Sequence, residues 1–111
     1  MKIKTIQTTP TPVDVSEWND EIKAFVRPLD GFESLVFNDW CLDFYRKDNA
    51  NDERFDAAFK AAVDVLVDEE GNKLLDESDR DAIRRASFLP FFRIFTAGLG
   101  QTTEIESAKK N

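Results

Sequence analysis

The 111-residue sequence has no histidine, which removes the commonest general acid/base and metal ligand. A Ser-His-Asp triad therefore cannot be assembled. The single cysteine, Cys41, rules out an intrachain disulfide and a cysteine-cluster zinc site. It sits among Trp40, Leu42 and Phe44, where a small core residue is expected rather than a reactive thiol. The glycines at 31, 71, 98 and 100 are too dispersed for a phosphate-binding loop. No segment approaches the roughly 20 apolar residues of a membrane-spanning helix. Met1-Lys2-Ile3-Lys4-Thr5 lacks the apolar run of a secretory signal, so a reducing cytoplasm is the expected compartment.

Basic charge is also scarce. Against 22 acidic residues stand 15 basic ones, a net charge of −7. The tight basic pairs are Arg84-Arg85 and Lys109-Lys110, and neither makes the stripe that a phosphate backbone or an anionic membrane requires. Neither nucleic acid nor membrane is expected as a partner. Among the acids, Asp68, Glu70, Gly71 and Glu77 match positions three, five, six and twelve of a calcium loop. Position one would be Leu66, which cannot ligate, so no metal is assigned. No carboxylate pair stands out from a solvated acidic surface. The sequence thus nominates no catalytic residue and no cofactor, and the expectation is a binding or assembly protein, not an enzyme.

What the sequence does have is aromatic bulk, with 10 Phe and 2 Trp residues. Most of these rings are expected in the core. Residues 2–7 and 13–15 alternate polar with β-branched side chains, and Ile22–Arg27 reads as a further strand. The prediction is a hairpin or small antiparallel sheet before residue 28. An amphipathic helix follows over about 32–47, with Asp30 as its cap. Phe37, Trp40, Cys41 and Phe44 face inward, and Asp39, Asp43, Arg46 and Lys47 lie opposite. A second helix spans about 52–67, burying Phe55, Phe59, Ala62, Val63 and Leu66. Gly71 supplies a turn, and Leu74-Leu75 returns to the core. Helix resumes at about 79–99 with a Ser78 cap, Ile83 and Ala86 inward, and a kink or split at Pro90. Pro90 could also start a last helix capped near Ser87. The fold class expected is mainly α, one domain over 1–100 with a polar tail over 101–111.

The last helix places Phe88, Phe92, Phe95 and Leu99 on one stripe, with Phe91 beside it. So many large side chains exceed what one core-facing stripe buries. Phe88, Phe91, Phe92 and Phe95 are therefore the candidate partner-binding or self-association residues; the alternative, which the sequence favours slightly, is that all of them pack internally.

The order of motifs resembles the tail assembly chaperones of long-tailed bacteriophages. The resemblance spans residues 13–100. It is carried by Val13-Asp14-Val15-Ser16-Glu17-Trp18, by Ile22 to Glu33 with its Arg27-Pro28-Leu29-Asp30-Gly31 core, by Val65 to Leu75 around the Asp68-Glu69-Glu70-Gly71 turn, and by Phe88 to Leu99. Leu74-Leu75 stands where the family often has phenylalanine, and Pro90 interrupts a helix usually continuous there. The resemblance implies a non-virion protein of the host cell cytoplasm. It would bind the tape measure protein, keep it soluble and promote polymerisation of the tail tube. It also implies a longer frameshift product that recruits the tail tube protein. Lys109-Lys110-Asn111 is compatible with the adenine-rich codons such a shift uses. The competing expectation is a small acidic helical adaptor with a different partner.

Overall fold

The computed structural model describes Met1, residues 9–43 and residues 51–110, of which Asp43 and 101–110 as backbone alone. The strand expected over residues 2–7 and the inward placement of Phe44 lie outside these residues. The described elements are β1 (Thr11–Val13), β2 (Ala24–Val26), α1 (Gly31–Asp43), α2 (Asp52–Val65), β3 (Leu66–Val67), a 3-10 turn (Glu77–Asp79), α3 (Arg80–Arg84) and α4 (Leu89–Lys110). The chain is mainly α, with one small antiparallel sheet in the order β1-β2-β3.

The sheet differs from the expected one in where its third strand originates. β2 pairs with β1 (Thr11 opposite Val26) and, on its other edge, with β3 (Val26 opposite Leu66). The pairing takes Leu66 and Val67 out of the helix that the sequence extends to residue 67. Leu66 adopts an extended backbone, and Val65, Leu66 and Val67 are all buried. Pro12 sits on the edge strand, where a missing N–H is tolerated.

The Arg27-to-Gly31 segment is a joint between sheet and helices. The Arg27 N–H donates to the Val65 carbonyl, and its Nε donates to the Asp64 carbonyl at 3.0 Å, where α2 ends. Its two terminal nitrogens grip the Glu33 carboxylate at 2.9 and 2.6 Å. Glu33 closes a capping box with Asp30: the Glu33 N–H donates to Asp30 Oδ1 and the Asp30 N–H donates to Glu33 Oε1.

The Arg27 hydrogen bonds hold the Glu33 carboxyl below its usual range, against an opposing effect of partial burial. A carboxylate with a depressed folded pKa stabilises above its unfolded pKa, about 4.3 for Glu, and loses that contribution as pH falls from there through the folded value. Urea midpoints should therefore fall on acidification below that point. Glu33→Gln should make the decline shallower and lower the plateau at neutral pH.

α2 begins at Asn51, whose side chain accepts from the Arg54 N–H. Its apolar face buries Phe59 and Ala62, with Phe55 and Val63 half-buried. Phe55 is covered from outside by the guanidinium groups of Arg80 and Arg84, 5.5 and 5.7 Å from the ring centre. These arginines also pair with Asp56 and Asp52, which fastens α3 to α2. The turn after β3 is held by Asp68, whose Oδ1 accepts from the Glu70 and Asn72 N–H groups. Gly71 has φ +88°, the left-handed conformation that favours glycine. The cap before α3 is Asp76, not Ser78. The Asp76 side chain accepts from the Ser78 N–H and reciprocates through Asp79, so a 3-10 turn precedes the α-helix. Ile83 is buried, whereas Ala86 is exposed beyond the end of that short helix.

Pro90 lies in the first turn of α4, where no helical hydrogen bond is lost. Ser87 Oγ accepts from the Leu89 N–H just before it. The backbone of α4 continues to Lys110, past the point near Leu99 where the sequence suggests a tail. Its buried face is Pro90, Phe91, Ile94, Phe95 and Gly98. That face is turned by roughly one residue, about 100°, from the expected Phe88–Phe92–Phe95–Leu99 stripe, with Phe95 common to both. Small profiles decide it. A Cβ on Gly98 would stand 2.6 Å from Leu29 Cδ1 and 3.1 Å from Phe37 Cδ2, so the missing side chain lets α4 close against Leu29 and α1.

Candidate partner-binding surface

The four aromatics nominated by the sequence do not form one surface. Phe91 and Phe95 are 6% and 1% exposed and belong to the core. The Phe91 ring meets Trp18 edge-on at 4.9 Å, with Phe55 and Phe95 near by. Trp18 satisfies its own indole N–H on the Ser87 carbonyl at 2.8 Å. Phe91 is thus a correction to the expectation that it falls outside: it is the centre of an aromatic cluster joining the N-terminal turn, α2 and α4. Phe92 is half-buried, and Phe88 is exposed at the head of α4.

A second exposed apolar surface lies on α1. Its inner side is as expected, with Phe37 buried and stacked on Trp40, and both rings against Phe95 of α4. Cys41 is half-buried on the same side, and that burial raises its thiol pKa, which disfavours the reactive thiolate. The outer side is not the polar face predicted. Phe32, Leu35 and Leu42 are 75%, 62% and 66% exposed, among the most exposed large apolar side chains of the described residues. Together with exposed Asp39 they occupy positions i, i+3, i+7 and i+10, a single line along the helix. Arg46 and Lys47, assigned to this side from sequence, lie outside the described residues. The signal that could have revealed the stripe is the spacing of Phe32, Leu35 and Leu42 itself. The acidic residues at 39 and 43 drew that side into the polar reading.

Other features resolve into structural roles. Asp68 and Asp76 are committed to local hydrogen bonds: the Asn72 N–H holds the Asp68 carboxyl below its usual range, and the Ser78 hydroxyl, then the Ser78 N–H, does the same for Asp76. A shallow cleft is bordered by Asp14, Ser16, Asp20, Lys23 and Glu69, in which Lys23 pairs with Glu69 and Asp14 with Arg93. Among the described residues no helix is long and apolar enough to cross a membrane. Compared with protein-family models, curated proteins and solved structures, the chain matches none.

Proposed function

We propose that this chain is an assembly chaperone that shields an apolar helix of a partner protein through the outer side of α1. The observation that carries the reading is the line of Phe32, Leu35 and Leu42, left uncovered on a small domain of net charge −7. Exposed side chains of this size, aligned on one helix, mark an interaction site more often than a solvated surface. Covering each contributes on the order of 1–2 kcal/mol. Part of that total is offset by the lost freedom of association, which suits a contact that forms and is later released. The acidic remainder of the surface keeps such a complex dispersed.

The motif order read in the sequence points to the tape measure protein of a long-tailed phage as the partner, and to the host cytoplasm as the place. In this role the chaperone covers apolar stripes of the tape measure until tail tube protein polymerises around it. The test is co-expression with the tape measure protein of the same phage. The reading expects the tape measure to move from pellet to supernatant and to co-purify with this chain. A tape measure that stays in the pellet overturns it.

A further inference from the structure

Phe32, Leu35, Asp39 and Leu42 follow the a-d-a-d spacing of a coiled-coil seam, with an acid at one of the two a positions. The Asp39 side chain is exposed and makes no hydrogen bond or ion pair among the described residues. No lysine or arginine occurs between Gly31 and Asp43, so α1 cannot neutralise it from its own length. Resting on the reading of α1 as the docking side, we propose that its occupant is a partner helix with an apolar seam and a lysine or arginine set opposite Asp39.

A second copy of this chain is the poorer occupant. In a parallel pair, a positions meet each other, and Asp39 would face Asp39 of its copy. In an antiparallel pair it would be pressed among leucines and stripped of water without a counter-ion. Two chains of net charge −7 also repel before contact. A cation in the partner's seam removes the penalty and fixes register, the usual role of a single polar seam residue. The seam from Phe32 to Leu42 is about 15 Å long at 1.5 Å per residue, so the partner segment needs only about three turns.

The probes are two synthetic amphipathic helices of about 21 residues, three heptads, with the same leucine seam. One carries lysine at the central a position and on its flanks; the other carries glutamate there. Labelled peptides are titrated with the full chain and followed by fluorescence anisotropy. The lysine peptide should bind at least about tenfold more tightly, a difference of about 1.4 kcal/mol. Added salt should narrow the gap. Asp39→Lys should reverse the order of the two peptides, a gain of binding that a misfolded variant would not show. Leu35→Gln should weaken both. Equal binding of the two peptides, or an order unchanged by Asp39→Lys, overturns the cationic partner and leaves α1 as the docking side. Failure of both peptides to bind, or indifference of both to Leu35→Gln, overturns the inference and the docking side together. Sedimentation showing a dimer abolished by Leu35→Gln overturns it in favour of a second copy.

Discussion

Phe59→Ala should lower the free energy of unfolding by about 3–5 kcal/mol. Phe59 is 2% exposed and projects from α2 into the cluster of Val26, Val65, Leu66, Ile94 and Phe95. It also stacks on Phe55, whose outer side is closed by two arginines. The surroundings are β2 and the α2–β3 junction, which are tied by backbone pairing, and the buried face of α4, and they cannot all move inward to fill the gap. A domain of this size has about 5–15 kcal/mol of stability in total, so the variant should unfold at much lower urea. A loss below about 1 kcal/mol would mean that the ring is not packed as described.

Phe91→Ser should be at least as damaging. The substitution removes the ring from contact with Trp18, Phe55 and Phe95, at a cost of about 3–5 kcal/mol for the lost volume. It also places a hydroxyl at a site that is 6% exposed, adding about 1–3 kcal/mol if the hydroxyl finds no partner. Tryptophan emission should shift to the red at neutral pH without denaturant as Trp18 loses its cover. An unchanged emission spectrum and urea midpoint would contradict the core placement of Phe91 and return it to the surface.

The parts of this fold legible from sequence are those fixed by local chemistry. Asp30 as a cap, Gly71 as a left-handed turn and Pro90 in a first turn each depend on a few neighbouring atoms. The α2 face was legible at Phe59 and Ala62, where the helical period is strict. The origin of the third strand was not. Leu66-Val67 continues a helical pattern, and it becomes strand because β2 offers it an unpaired edge. The buried face of α4 was misplaced because the largest rings were taken to define it. Gly98 defines it by letting Leu29 and Phe37 approach. For the candidate site, charge at Asp39 and Asp43 concealed an apolar line on the same side of α1. The density of large side chains pointed to the C-terminal aromatics instead, two of which are core.

The central claim is that the outer side of α1 contacts the partner and contributes little to folding. Co-expressing the tape measure protein with the Leu35→Gln, Leu42→Gln variant tests it most directly. Both side chains are more than half exposed, so the double variant should unfold within about 0.5 kcal/mol of the parent per site. The parent chain should hold the tape measure in the supernatant, and the folded variant should leave it in the pellet. A variant that solubilises the tape measure as well as the parent does would contradict the account.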